Sequence, residues 1–423
     1  MGIKKILLSK INGRVNAPSS KSIMQRAVVL SMLAEGESII KNPSYSDDGV
    51  VAINLIKKLG VKVNVKKNDE SLFLYSSSIL KRNEDLSVSC GESGLLIRMI
   101  SPVLALFDNK FIVSGRGSLL KRPLDMIENN LIATGARCNS NKGYAPLEIQ
   151  GLIRGGNITV DGSISSQFIS GLLIALPLCK EDSVLKIENM TSKPYIELTL
   201  KMIRDAGIVI EEDKTEQTFR IKGQQKYKPL NVDVEGDWSG ASFLLTAGAI
   251  AGSVRVNNLN LNSMQADKAI LEVLELAGAD VKKTINYVDV KKKQLNPFEF
   301  DISECPDLFP PIVALAVFCE GKSTVYGTER LKYKESSRAD VLKKELGKLG
   351  IKLVLFDNKV EVYGGTPVVS CRTSANNDHR VAMALALIGL RLENGIEIEE
   401  WESVSKSYKN FFNDLQGLGG NVK

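Results

Sequence analysis

Residues 53–65 read INLIKKLGVKVNV: apolar residues at helical spacing, a glycine, and then a short alternating run. The pattern predicts an amphipathic helix that stops at Gly60 and turns into a strand. The position just past a helix C-terminus favours positive φ, which glycine adopts at no steric cost. Five variants follow: MIENNLIATGARCNS at 126–140, TLKMIRDAGIVIEED at 199–213, AILEVLELAGADVKK at 269–283, VLKKELGKLGIKLVL at 341–355 and FFNDLQGLGGNV at 411–422. Their glycines, Gly60, Gly135, Gly207, Gly278, Gly350 and Gly419, stand 69 to 75 residues apart, so six units account for the 423 residues. A repeat of this length is one supersecondary unit that needs neighbours to bury its core.

Upstream, each unit carries a helix of different character: SIMQRAVVLSMLAEG (22–36), SGLLIRMISPVLALF (93–107), SSQFISGLLIALPLC (165–179), WSGASFLLTAGAIAG (238–252), LFPPIVALAVFC (308–319) and DHRVAMALALIGL (378–390). Apolar residues on nearly every face predict helices buried all round. A short strand follows, as in FIVSG (111–115) or IEIEE (396–400), so the unit reads β-α-β-α-β. The expected class is α/β (α+β), with two lobes of three units, each lobe a set of buried helices surrounded by sheets. The repeat breaks at QQKYKPLNVDVEGD (224–237), which puts one lobe at 20–229 and the other at 1–19 plus 230–423, the strand before Pro18 completing the second lobe's sheet. Two chain crossings form a hinge, and a cleft between lobes is the expected binding site.

Composition narrows the chemistry. Apolar residues make up 43% and charged residues 25%, a globular profile. The net charge of +6 is spread along the chain, which suits a small anionic substrate better than nucleic acid. One histidine, His379, excludes multi-histidine metal centres, and no metal or organic cofactor is expected. Six scattered cysteines without a C-x-x-C pair read as reduced thiols. MGIKKILLSK lacks the apolar core of a signal peptide, and no apolar run is long enough to span a membrane, so a cytoplasmic protein is expected.

The buried helices begin in polar sequence: PSSKS (18–22), CGESG (90–94), SISSQ (163–167), GDWSG (236–240) and NNDHR (376–380). Capping explains one Ser, Asp or Asn at each start, but not Lys21, Arg26, Gln167, His379 and Arg380 beside them. Free N–H groups and a positive dipole end make such starts anion sites when cations are added. The loops before the amphipathic helices are loaded in the same way, with Arg122 in LLKRPLD, Ser192, Lys193 and Tyr195 in TSKPY, Lys334, Glu335 and Arg338 in ERLKYKESSR, and Lys406 in SVSKS. Cations recurring at one place in a repeat could converge on one cleft and hold two anionic groups. The acid and base would come from Glu335, Asp307, Asp47 with Asp48, or His379. No Rossmann fingerprint, P-loop, nucleophile elbow or EF-hand spacing competes.

PSSKSIMQRA, KRPLD, SSQF, TSKPYIELTL, PDLFPP, KYKESSR, NNDHRVAMALAL and SKSYKNFF, in this order, resemble the 5-enolpyruvylshikimate-3-phosphate synthase family over essentially the whole chain. The resemblance implies an inverse α/β barrel in each lobe and transfer of the enolpyruvyl group of phosphoenolpyruvate to the 5-hydroxyl of shikimate 3-phosphate, without a cofactor, by a monomer. It implies that Asp307 takes the hydroxyl proton and Glu335 protonates the phosphoenolpyruvate methylene; Lys21 and His379 join them as catalytic candidates, and His379, at a buried helix start, either transfers a proton or caps and orients its neighbours. Shikimate 3-phosphate would be held by Lys21, Ser22, Arg26, Ser165, Ser166, Gln167, Ser192, Tyr195, Asp307 and Lys334. Phosphoenolpyruvate would be held by Lys21, Gly94, Arg122, Gln167, Arg338, Arg380 and Lys406. The chain departs from the family pattern at Glu92, Ser93 and Leu95 around Gly94, where Glu92 adds a negative charge near the expected phosphoenolpyruvate pocket, and at Arg330, Lys332 and Ser337.

Three rivals fit less well. A UDP-N-acetylglucosamine enolpyruvyl transferase would carry a cysteine in the loop before Arg122, and FIVSGRGSLLKR has none. An RNA 3′-phosphate cyclase would need a nucleotide motif. A DNA sliding clamp would place its lysines on helices lining a hole rather than at helix starts.

Overall fold

A four-stranded sheet closes each of the six units in the computed structural model, which describes residues 2–65, 71–77, 85–163, 165–365 and 369–423. In the second unit, Leu86–Ser89 runs parallel to Lys110–Ser114, and the hairpin Arg137–Asn141 with Tyr144–Gln150 folds back so that Tyr144–Gln150 pairs antiparallel with Lys110–Ser114. Every other sheet repeats this order of one parallel and two antiparallel pairs. The unit is therefore β-α-β-α-β-β, one strand longer than its sequence suggests. The strand after each repeat glycine is short, and the added strand both pairs with it and joins it to the rest of the sheet. In the second unit, Lys142 (φ 55°) and Gly143 (φ 83°) make the reversal.

Twelve helices lie among the described residues, in alternating kinds: α1 (Lys21–Leu33), α2 (Asp47–Lys58), α3 (Gly94–Leu104), α4 (Asp125–Ala133), α5 (Ser166–Ala175), α6 (Lys193–Asp205), α7 (Trp238–Ala251), α8 (Ile270–Leu276), α9 (Phe309–Ala316), α10 (Arg338–Lys348), α11 (His379–Gly389) and α12 (Phe411–Gly417). The odd-numbered helices are buried along almost their whole length, as their all-round apolar sequence requires. The even-numbered ones bury one face and stop at the repeat glycines, all six of which have positive φ.

The chain divides into two compact units, Ser19–Val234 and Met1–Pro18 with Glu235–Lys423. The division falls at Val234, later than 229, because Asn231–Asp233 pairs parallel with Gly36–Lys41 and completes that sheet. Two N-terminal strands, rather than one, serve the other unit. Ile3–Leu7 lies between Ile396–Glu399 and Asn421–Val422, and Ile11–Asn16 runs parallel to Gly252–Asn257. In each unit the buried helices present their N-terminal turns as the places where polar sequence meets the core.

Candidate active site

In the unit Ser19–Val234, four helix starts carry the candidate residues, and hydrogen bonds tie them together. Lys21 opens α1 behind the N-cap Ser20, and its Nζ lies 3.0 Å from Asp48 Oδ2 in the first turn of α2. That ion pair assigns Asp48 to Lys21 rather than to a free acid or base role. Ser22 and Arg26 follow on α1. Arg26 is 1% exposed and donates from Nε to Thr199 Oγ1 (2.8 Å) and through its terminal nitrogens to Ser22 O (3.0 Å) and Tyr195 O (3.3 Å). Burial pulls this guanidinium down to about 10. Arg26 thus braces the backbone beneath two expected substrate contacts, Ser22 and Tyr195.

Ser165 caps α5 by accepting from Gln167 N (3.2 Å), and Ser166 and Gln167 form the helix's first turn. Gln167 Oε1 is buried and has no hydrogen-bond partner among the described residues. Ser192 sits before α6 in the left-handed region (φ 53°), a conformation that turns the TSKPY loop into the helix that carries Tyr195. Ser93 caps α3 by accepting from Leu96 N (3.2 Å), while its hydroxyl donates to Gln25 Oε1 (3.0 Å), so the starts of α1 and α3 are joined directly.

Arg122 and Gly94 meet. A Cβ at Gly94 would lie 2.3 Å from a guanidinium nitrogen of Arg122, so only glycine lets this side chain rest on the α3 N-terminus. Arg98, which sequence reasoning passed over, donates to Gly94 O (3.1 Å) and Pro123 O (2.9 Å), binding the helix to the residue after Arg122. The signal was available: a lone arginine within an otherwise apolar helix is 2% exposed here and needs partners. Glu92 accepts from Ser118 N (2.9 Å) and Ser118 Oγ (2.8 Å).

The other unit gathers Asp307, Lys334, Glu335, Arg338 and Arg380 into one ion cluster. Asp307 lies in the turn Pro306–Leu308 before α9, and its Oδ1 accepts from Arg338 (2.7 Å) and faces Lys334 Nζ at 3.2 Å. Its Oδ2 accepts from Arg380 (3.1 Å). Arg338, the first residue of α10, also donates to Glu335 Oε2 (2.5 Å) and Asp378 Oδ2 (2.9 Å). Its side chain is 1% exposed, whereas Asp307 keeps 25% of its side-chain surface open. Burial would raise the Asp307 carboxyl, but Arg380, Lys334 and Arg338 outweigh it and hold the group well below the usual range. Burial also pulls Lys334 down to about 8 against the raising effect of Asp307.

Asp378, also missed at first, organises this cluster. It caps α11 by accepting from Arg380 N (3.0 Å), and its other oxygen takes Ser336 Oγ and Arg338 Nε. Within NNDHR it reads as one more helix cap, and only the fold reveals its second task. His379 opens α11 at 1% exposure, with Nδ1 3.9 Å from Asp378 Oδ1. Lys406 Nζ donates to Asn377 O (2.6 Å), which anchors the SVSKS loop against the same helix start.

Comparison with known proteins places the chain in a family. The family profile described as EPSP synthase (3-phosphoshikimate 1-carboxyvinyltransferase) matches residues 7–415. A 3-phosphoshikimate 1-carboxyvinyltransferase of Clostridium perfringens (strain ATCC 13124) is 36% identical over all of this chain and all of that protein. One of Clostridium botulinum (strain Eklund 17B) is 37% identical over all of this chain and 98% of its own. Among solved structures, an EPSP synthase from Acinetobacter baumannii shares the fold over the whole of both chains (TM-score 0.83, 23% identity). The enolpyruvyl transferase NikO from Streptomyces tendae shares it over all of this chain and 98% of its own (TM-score 0.80, 17% identity).

Proposed function

The chain belongs to the EPSP synthase family, and from that membership we propose how its residues divide the work. The enzyme transfers the enolpyruvyl group of phosphoenolpyruvate to the 5-hydroxyl of shikimate 3-phosphate and releases inorganic phosphate, a step toward chorismate and the aromatic amino acids. On our reading Lys21, Ser22, Ser165, Ser166, Gln167, Ser192 and Tyr195, backed by Arg26, hold shikimate 3-phosphate, and a substrate hydroxyl satisfies the buried Gln167 Oε1. Lys21, Gly94, Arg122, Gln167, Arg338, Arg380 and Lys406 hold phosphoenolpyruvate. The enzyme acts as a monomer in the cytoplasm, with sedimentation at working concentration as the check on the monomer.

The observation that carries the reading is the Asp307 cluster. Its carboxylates (Asp307, Glu335, Asp378) and cations (Lys334, Arg338, Arg380) balance three against three. A carboxylate held this low is a poor base. An arriving phosphate and carboxylate compete for Arg338 and Arg380, loosen their hold on Asp307 and raise its proton affinity when the substrate hydroxyl is in place. The hydroxyl oxygen then bonds to C2 of phosphoenolpyruvate as its proton passes to Asp307, and Glu335, which takes up a proton once the same anions draw Arg338 away from it, delivers that proton to C3 and is left as the carboxylate. The tetrahedral adduct then loses phosphate from C2 as the Glu335 carboxylate takes a proton back from the new methyl group, which forms the enol ether, and the proton on Asp307 leaves with the phosphate. Cations fixed around the anionic centres supply the stabilisation, and the protein's own positioning of the two substrates supplies the rest.

Phosphate release from phosphoenolpyruvate that depends on shikimate 3-phosphate tests the activity, and release that is equal without it defeats the reading. Asp307→Asn and Glu335→Gln should each retain shikimate 3-phosphate binding while losing roughly 10²- to 10⁴-fold in turnover. Near-native turnover in both would reassign the acid and base.

A further inference from the structure

The parallel pair Leu86–Ser89 and Lys110–Ser114 does not end where its strands end. Cys90 N donates to Ser114 O (2.9 Å) and Arg116 N to Gly91 O (2.8 Å), so the two chains stay zipped as they leave the sheet. At the next step the acceptor changes from backbone to side chain, because Glu92 Oε2 takes Ser118 N and Ser118 Oγ together. The approach is close: a Cβ at Gly117, whose φ is 55°, would stand 2.4 Å from the Glu92 carboxyl carbon. From there the turn Gly117–Lys121 runs through Leu119 N to Arg116 O and Arg122 N to Leu119 O, both 3.2 Å, and delivers Arg122 to Gly94, two residues after Glu92. The carboxylate that holds the turn leading to Arg122 thus belongs to the residue two before Gly94, which Arg122 meets.

We propose that Glu92 is a positioning residue for phosphoenolpyruvate: it clamps the Gly117–Lys121 turn and thereby sets the Arg122 guanidinium on the N-terminus of α3. The proposal rests on Arg122 holding phosphoenolpyruvate. It reverses the simplest expectation for an acidic residue beside an anion pocket, which is repulsion. Here the carboxylate is turned onto two donors of the neighbouring loop, and its charge strengthens bonds that position a cation.

Steady-state kinetics with each substrate varied in turn separates the alternatives. Glu92→Ala should raise KM for phosphoenolpyruvate roughly 10- to 100-fold, the scale of hydrogen bonds to a charged group, with kcat and KM for shikimate 3-phosphate little changed. Glu92→Gln keeps an acceptor oxygen and should recover much of the loss, while Ser118→Ala should raise the same KM modestly and add little to Glu92→Ala. If Glu92→Ala does not fold, the Gln and Ser118 variants decide alone. Tighter phosphoenolpyruvate binding in Glu92→Gln, which is the repulsion outcome, or a parallel fall of kcat and both KM-derived specificities overturns the proposal. Arg122→Lys is the reference. If it raises KM for phosphoenolpyruvate and the Glu92 and Ser118 variants do not, Glu92 alone is misassigned. If Arg122→Lys changes nothing, the role of Arg122 fails and the clamp with it.

Discussion

Lys334 is the residue where burial has moved a proton equilibrium into the working range. Its ammonium, 17% exposed and 3.2 Å from Asp307, is brought down to about 8 by burial, with Arg338 and Arg330 adding repulsion and Asp307 and Glu335 opposing it. Lys334 therefore carries its charge below pH 8 and loses it above, and Asp307 then keeps two cations instead of three. The kcat/KM profile should fall as pH rises through about 8, and in Lys334→Arg that limb should vanish below about pH 10 because a guanidinium does not titrate there. An unchanged limb in the arginine variant would place it on another group. The stability term has the opposite sign. An unfolded lysine keeps its proton up to about 10.4, so the folded state releases its proton first and gains stability as pH rises from about 8 toward that value.

At the scale of elements, the N-terminus of α3 is built so closely that one methyl group tests it. Gly94→Ala would place a carbon 2.3 Å from an Arg122 guanidinium nitrogen, and Arg122 must move because the helix backbone cannot. KM for phosphoenolpyruvate should rise about 10-fold or more while the fold's melting temperature stays within a few degrees, since the clash meets the far end of a flexible side chain rather than backbone. A variant with native KM would show that Arg122 works from elsewhere. The helices themselves were legible in the sequence. All-round apolar runs gave α1, α3, α5, α7, α9 and α11, and glycines at a fixed interval gave the ends of the others, because both signals are local. The fourth strand of each unit was not, although Ala145, Leu147 and Ile149 alternate inward along Tyr144–Gln150, since a strand interrupted by a proline, Pro146 here, carries little weight until its partner is known. The site divided in the same way. Residues at helix starts declared themselves by being the wrong type for a cap, whereas Arg98 and Asp378 act through partners distant in sequence (Pro123 and Arg338), which no local pattern encodes.

At the scale of the whole molecule, the two compact units differ in how the chain supplies them. Ser19–Val234 is one continuous segment, and its three sheets are closed by its own strands, Asn231–Asp233 being the last. The other unit borrows Ile3–Leu7 and Ile11–Asn16 from the far end of the chain, and both strands bury core residues completely, Ile6 and Ile11 at 0% exposure. Without them, Ile396–Glu399 and Gly252–Asn257 would each lose a hydrogen-bonded neighbour, and Ile6, which packs against Gly389 of α11, would leave a cavity. Loss of one buried isoleucine costs about 2–5 kcal/mol, so losing two with their ladders exceeds much of a domain's net stability of about 5–15 kcal/mol. A fragment spanning Ser19–Val234 should therefore fold alone with a cooperative thermal transition. A fragment spanning Glu235–Lys423 should not, and joining residues 2–18 to it through a flexible linker should restore the transition. Calorimetry on the three fragments checks this. Cooperative melting of Glu235–Lys423 by itself would mean that the borrowed strands only cover a unit already complete.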